Sequence, residues 1–307
     1  MTESKKGWIV AEPRQSFGGD WTEVKLGMLK DYLAAYTTAL KGRPFSRMYI
    51  DAFAGTGYRE IETQEDISGL FEEQVNAEES GLLDGSVKLA LQMEVPFDRY
   101  VFIEKSRKRM ADLSAVAGAY ALLSGRIDFR PGDANVELPA LCLETDWTRT
   151  RAVLFLDPFG MSVDWSTMEA AASTKAIDVW ILFPVGMSVN RLLKKKPDEI
   201  PQPWQDRLDR IFGTAEWRAA FFKTTSRSTL FGEETVTTKV GDAIQTIVDY
   251  YQKRLRTVFP RVVSNPRYLC NSKQSPMFIF TFAVSNPNPK AQRLALRIAE
   301  YILGKNR

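Results

Sequence analysis

The stretch MYIDAFAGTG, Met48 to Gly57, decides the fold. Its first half is a short apolar run that ends on a carboxylate, Asp51. Its second half is a turn of small residues carrying Phe53, Gly55 and Gly57. A buried strand that breaks into such a turn is how a ligand-binding parallel sheet opens, because glycine lets backbone approach a ligand where a side chain would block it. A plain tight turn has the same composition, so the stretch must be read with its neighbours.

Upstream, Asp20 and Glu23 have the spacing of a capping box, and Trp21, Val24, Met28, Leu29, Tyr32, Leu33 and Tyr36 recur at helical period. An amphipathic helix over 20–41 is expected. Downstream come four more strand-like runs: YVFIEK (100–105), IDFRPGD (127–133), AVLFLDP (152–158) and DVWILFP (178–184). Helix-like segments over 108–123 and 165–174 separate some of them. Strands that are apolar nearly throughout, alternating with helices, predict a parallel sheet covered on both faces, a doubly wound Rossmann-type α/β fold. The aromatic residues Trp180, Phe183, Phe278, Phe280 and Phe282 lie in these and later strands and read as core.

Three regions follow from this pattern. Residues 1–187 form the Rossmann-like core with its N-terminal helix, interrupted by a polar, acidic inserted loop over 59–85. Residues 188–260 read as a helical insertion, with helices around 204–222 and 236–259. Residues 261–307 return to strands (262–269 and 277–284) and close with a helix over 290–303, completing the core with C-terminal antiparallel strands.

Composition narrows the chemistry. The 307 residues are 44% hydrophobic, enough for a sizeable core. The sequence contains no histidine, which removes Ser-His-Asp triads and HExxH zinc sites together. Cys142 and Cys270 stand far apart, outside any CxxC spacing, so neither a disulfide framework nor a cysteine zinc cluster is expected and the compartment reads as reducing. No apolar run reaches the ~18 residues of a membrane span, and a soluble, cytoplasmic protein is expected. A formal charge of +3 leaves nucleic-acid binding open.

In an open parallel sheet the ligand binds at the carboxyl ends of the strands. The unusual residues gather there: Asp51, Gly55 and Gly57 after the first strand, Glu104 at the second, Asp133 at the third, and Asp157, Pro158, Phe159 and Gly160 after the fourth. A carboxylate such as Glu104 is a pure acceptor and suits both hydroxyls of a ribose. Asp133 could accept from an adenine amino group with Ala134 backbone beside it, while the Asp51 turn would face the amino-acid end of a cofactor. Helix capping is the competing reading for Glu104 and Asp133 alike. A dinucleotide fingerprint needs a third glycine where Glu60 stands, and GxxxxGK[ST] is absent, which disfavours nicotinamide enzymes and P-loop NTPases.

DAFAGTG, FIEK, PGDAN and LFLDPFGM, in that order, resemble the motif series of class I S-adenosylmethionine-dependent methyltransferases. More narrowly, DAFAGTG, LDPFG and DVWILFPVGMSVNRLL resemble the three-Cys-motif partner family, bacterial and phage-associated proteins encoded beside a protein with a three-cysteine motif. The resemblance covers roughly 20–300. It implies a methyltransferase-like fold, S-adenosylmethionine as cofactor and a three-Cys-motif protein as partner.

LDPFG also resembles the (D/N/S)PP(Y/F/W) loop of amino-group methyltransferases, in which the first side chain and a proline carbonyl orient the target amino group and an aromatic ring stacks on the base. Asp157 and Pro158 match that pattern; Phe159 stands for its second proline and Gly160 for its aromatic. The expected function is methyl transfer, with an amino group on a DNA or RNA base as acceptor and Asp157, Pro158 and Phe159 as the catalytic set. The alternative is a non-catalytic module acting with the three-Cys-motif protein. The basic run Arg191, Lys194, Lys195 and Lys196 is the candidate nucleic-acid contact, with a solvated surface as its plainer reading.

Overall fold

The computed structural model describes residues 21–55, 85–158, 160–229, 232–271 and 273–305. Gly57, Phe159 and almost all of the inserted loop expected over 59–85 lie outside the described residues.

Five strands, β1 (Ser46–Asp51), β2 (Arg99–Glu104), β3 (Ile127–Pro131), β4 (Thr150–Leu156) and β5 (Ile177–Phe183), pair in parallel in the order β3-β2-β1-β4-β5. The chain reverses strand order at β1, flanked by β2 on one side and β4 on the other. That switch opens the crevice in which such sheets bind ligands. The last strands complete the sheet in antiparallel fashion: β10 (Pro276–Val284) runs against β5, and β8 (Arg261–Val262) and β9 (Arg267–Cys270) both pair with β10. The fold is thus Rossmann-like α/β, mostly parallel with C-terminal antiparallel strands.

The strands sort their side chains by type. One face presents Ile50, Val101, Ile103, Leu154, Leu156, Val179 and Ile181, covered by α4 (Ala134–Glu144), α5 (Trp165–Ser173) and α8 (Ala243–Val258). The other presents Tyr49, Tyr100, Phe102, Phe155, Trp180, Phe280 and Phe282, covered by α1 (Trp21–Ala39), α2 (Gly85–Leu91), α3 (Arg107–Gly118) and α9 (Pro289–Gly304). Because strand residues alternate sides, each strand feeds both layers, which is why these runs are apolar throughout. On the aromatic side, Trp180 stacks on Phe280 at 4.7 Å and meets Tyr32 of α1 edge-on at 5.3 Å. All five aromatics expected in the core are buried.

Three expectations need correction. The segment 188–260 is not all helix. After α6 (Gln202–Phe212) and α7 (Trp217–Phe221) it forms an antiparallel pair, β6 (Phe222–Thr229) and β7 (Gly232–Lys239), so residues 236–239 are strand and the helix expected from 236 starts only at Ala243. Threonine is β-branched and stiff at χ1, and its run here favours extended backbone. The helix expected over 204–222 breaks at Gly213, where φ is +66° and an added Cβ would lie 2.2 Å from the Trp165 ring. The strand expected over 262–269 divides into β8 and β9, with Pro266, which lacks a ladder donor, between them.

Candidate functional site

The carboxyl ends of β1, β2 and β4 carry the candidate site. The turn after β1 is laced to both neighbours: Ala52 N–H donates to Phe155 O at 3.2 Å and Ala54 N–H to Ile103 O at 3.0 Å. Asp51, fully buried, closes this turn by accepting from Phe53 N–H at 3.2 Å and from the Tyr49 hydroxyl at 3.4 Å. Burial pushes the Asp51 carboxyl up to about 7, with the Asp157 charge adding to it, while bonds from Ser86 and Phe53 N–H pull the other way. The Phe53 ring packs against the aliphatic core layer.

Asp157, just past β4, is not a free acceptor. Lys25 of α1 places its Nζ 2.5 Å from Asp157 Oδ2, and the lysine side chain is only 3% exposed against 21% for the aspartate. The same ammonium lies 4.9 Å from the Trp21 ring centroid. A cation on one helix thus compensates a carboxylate 132 residues away at the mouth of the crevice. Motif reading gives no sign of Lys25, since it sits one residue past the apolar Val24 in an ordinary amphipathic pattern.

Glu104, 7% exposed at the end of β2, is held by the start of α3: its Oε1 accepts from Ser106 N–H at 2.6 Å and lies 3.7 Å from the Arg109 guanidinium. Its other oxygen lies against the first turn. A Cβ added at Gly55 would stand 2.1 Å from Glu104 Oε2, so any side chain here would push that carboxylate aside. Gly55 and Glu104 are separate candidates in the sequence; the fold makes them one feature.

Asp133 is the N-cap of α4, its Oδ1 accepting from Asn135 N–H at 2.9 Å, and Lys105 lies 3.2 Å from its Oδ2. Against burial, which works upward, the Asn135 and Lys105 contacts hold its carboxyl below the ordinary range. The helix-cap reading therefore holds for Asp133, which remains 40% exposed, while Ala134 behind it is buried. Asn135, the last residue of PGDAN and given no role of its own by the sequence, ties α4 to the loop after β4 and the start of α5: its Nδ2 donates to Ser162 O at 2.7 Å, and its Oδ1 accepts from Asp164 N–H at 2.9 Å and Thr167 Oγ1 at 2.8 Å.

In the LDPFG loop Gly160 adopts φ +61°, with Arg207 and Ser188 nearest to where its Cβ would be. An L-aromatic residue resists that backbone region, which explains physically why glycine stands where the amino-group methyltransferase loop has an aromatic. Pro158 and Gly160 sit over an apolar floor that includes Val163, Met168, Phe183 and Tyr251.

The four basic candidates lie apart from the strand ends, on the segment after β5. Arg191, Lys194, Lys195 and Lys196 are exposed, and Lys194 Nζ rests 4.7 Å from the Trp204 ring centroid. A cleft of about 820 Å³ opens elsewhere, between α8 and the β8–β9 connection, lined by residues such as Gln252, Arg256 and Tyr268. It includes no residue of the β1, β2 or β4 ends, and size alone does not outweigh the convergence of carboxylates at those ends. No helix among the described residues is long and apolar enough to cross a membrane.

No protein-family model matches this chain, and no curated protein does. Solved structures similar to it include a DUF519 protein from Legionella pneumophila (12% identity, 93% of each chain covered, TM-score 0.43). An O-methyltransferase from Bacillus cereus in complex with SAH is 13% identical over 90% of this chain and 93% of that one, with a TM-score of 0.37. A putative S-adenosylmethionine-dependent methyltransferase from Listeria monocytogenes is 10% identical over 87% and 97%, also at 0.37.

Proposed function

We propose that this chain is an S-adenosylmethionine-dependent methyltransferase whose acceptor is an amino group on a nucleic-acid base. The observation that carries the reading is the Gly55–Glu104 pair: a buried carboxylate at the end of β2 with one oxygen resting where a side chain at Gly55 would stand. A ribose edge needs an acceptor for its hydroxyls and bare backbone close by, and this pair offers both. Glu104 would hold the ribose, Asp133 and Ala134 would border the adenine, and the Asp51–Phe53–Gly55 turn would face the amino-acid end.

The cofactor supplies an electrophilic methyl on a sulfonium, so the protein needs little acid-base chemistry. This suits a chain without histidine. What the residues contribute is alignment. Lys25 fixes Asp157 Oδ2, leaving Oδ1 and the Pro158 carbonyl to accept from the amino group and point its lone pair toward the methyl.

Titration calorimetry with S-adenosylmethionine, S-adenosylhomocysteine and NAD tests the reading. Micromolar binding of the first two, lost in Glu104→Ala with an unchanged thermal melt, is expected. Binding of NAD alone, or silence from all three, would overturn it. Asp157→Ala, which removes the acceptor that Asn would keep, should spare cofactor affinity and lose methyl transfer to nucleic acid.

Two observations favour a second reading, a non-catalytic module working with a three-Cys-motif protein: Lys25 already engages Asp157, and Gly160 offers no ring to stack on a base. Under that reading Asp157→Ala leaves biological activity whole.

A further inference from the structure

The β6–β7 pair is a sheet by itself, separate from the main one. Eight residues a strand give a ribbon about 26 Å long. Such a ribbon is marginal alone in water, and among the described residues no further strand pairs with either of its edges. Apart from Phe222, buried at its root, and half-buried Val236, its described side chains are polar, and Lys223, Thr224, Thr225 and Ser226 on β6 and Thr235 and Thr238 on β7 are exposed.

Its root is anchored, and the anchor carries positive charge. Lys239 N–H donates to Lys195 O at 2.9 Å, and Lys239 Nζ donates to Asn190 Oδ1 at 2.6 Å and to the Asn190 and Leu193 carbonyls at 3.1 Å. These bonds fasten the ribbon beside exposed Lys194, Lys195 and Lys196, with Lys223 on the paired strand opposite Thr238. Toward the tip, the register sets Arg227 opposite Glu234 and Ser228 opposite Glu233, so the formal charge of that end is not positive. Asp198 and Glu199 follow the lysine run and are exposed too. The net positive charge therefore belongs to the root. From there the chain leads back to the candidate site, since Ser188 Oγ lies 3.8 Å from the Cβ position of Gly160 in the LDPFG loop.

We propose that the β6–β7 ribbon, with Lys194, Lys195, Lys196 and Lys223 at its root, is a docking surface for duplex DNA. The major groove of B-DNA admits a two-stranded β-ribbon, whereas the A-form groove of RNA is too narrow to be entered. Threonine and serine hydroxyls suit phosphate oxygens and base edges, and the lysines neutralise the backbone. That the bound DNA is also the methyl acceptor rests on the reading above; the docking itself does not.

The test is fluorescence anisotropy of the full chain with a labelled mixed-sequence DNA duplex, without cofactor, over a salt series. Four lysine–phosphate contacts predict a log–log salt slope of about −4, from about 0.9 per phosphate neutralised. The triple variant Lys194→Ala, Lys195→Ala, Lys196→Ala should flatten that slope by about 3. Lys223→Glu with Thr225→Glu, both exposed, should weaken binding by about tenfold or more, because a charged hydrogen bond is replaced by repulsion from the phosphates, with an unchanged melting curve. If the double variant perturbs folding, Lys223→Ala alone should still flatten the slope by about 1. Wild-type affinity in these variants, no binding at low salt, or equal affinity for single strands or duplex RNA would overturn the proposal. Cofactor titration is unaffected by any of these outcomes, so the two readings fail separately.

Discussion

The two halves of the crevice treat their carboxylates differently. At β1 and β4, Asp51 is fully buried and Asp157 mostly so, and the cation that meets Asp157, Lys25, comes from a distant helix. At β2 and β3, Glu104 and Asp133 take backbone N–H groups from Ser106 and Asn135 at the starts of the helices that follow them. In the second half the local chain satisfies the charge two residues away. In the first, Asp51 takes the local Phe53 N–H but is otherwise shut away from water, and Asp157 is met only after folding, by an ammonium from another element. Local satisfaction makes a group robust to change elsewhere; tertiary satisfaction makes it sensitive.

Lys25→Met should break this contrast most severely. It removes the cation from a nearly buried pair and leaves Asp157 beside Asp51 uncompensated, at a cost of about 3 kcal/mol in urea denaturation. A loss below about 0.5 kcal/mol, the scale of an exposed pair, would mean that water reaches Asp157 freely.

The pH dependence sharpens the same comparison. Asp51 has its folded value pushed up to about 7, above that of the unfolded chain, so the folded state holds the proton more tightly. Its contribution is complete below about pH 4 and is lost as pH rises toward about 7. Asp178, at the opposite end of the strands, has its carboxyl raised to about 7 by burial, against the Tyr32 hydroxyl that donates to it at 2.7 Å, and acts in the same direction. Denaturation midpoints should therefore fall between about pH 4 and about pH 7, and Asp51→Asn should reduce that fall by one proton's share. An undiminished fall would place the titration elsewhere.

Gly55→Ala should swing Glu104 aside and weaken S-adenosylmethionine binding about tenfold to a hundredfold, the value of a hydrogen bond to a charged group. Calorimetry reads this directly, and unchanged affinity would show that Glu104 does not meet the ligand. Smallest of all in stability, Asp133→Ala should remove one helix cap, costing about 1 kcal/mol in thermal or chemical melts. A larger loss would move Asp133 into the sensitive half.

What can be read from the chain follows from what kind of signal each feature leaves. The five parallel strands are legible because both of their faces are buried, which writes a continuous apolar run. The helix of Trp21 to Ala39 is legible through its period, and Gly55, Glu104 and Asp157 through their positions at strand ends. The β6–β7 ribbon leaves no such mark. Its residues are largely polar along both strands, so no alternation separates strand from helix, although the threonine run and Gly232 are an available hint.

By itself, then, the sequence determined which segments must be buried and where the small and acidic residues interrupt them, because those depend on local pattern and on the cost of exposing apolar surface. Only the tertiary structure decided that Gly55 closes on Glu104, that Lys25 reaches Asp157 and that Asn135 holds the loop after β4. Each of these joins residues from separate elements. A contact of that kind is set by how the sheet orders its strands and how the helices pack across it, and neighbours along the chain carry no trace of it.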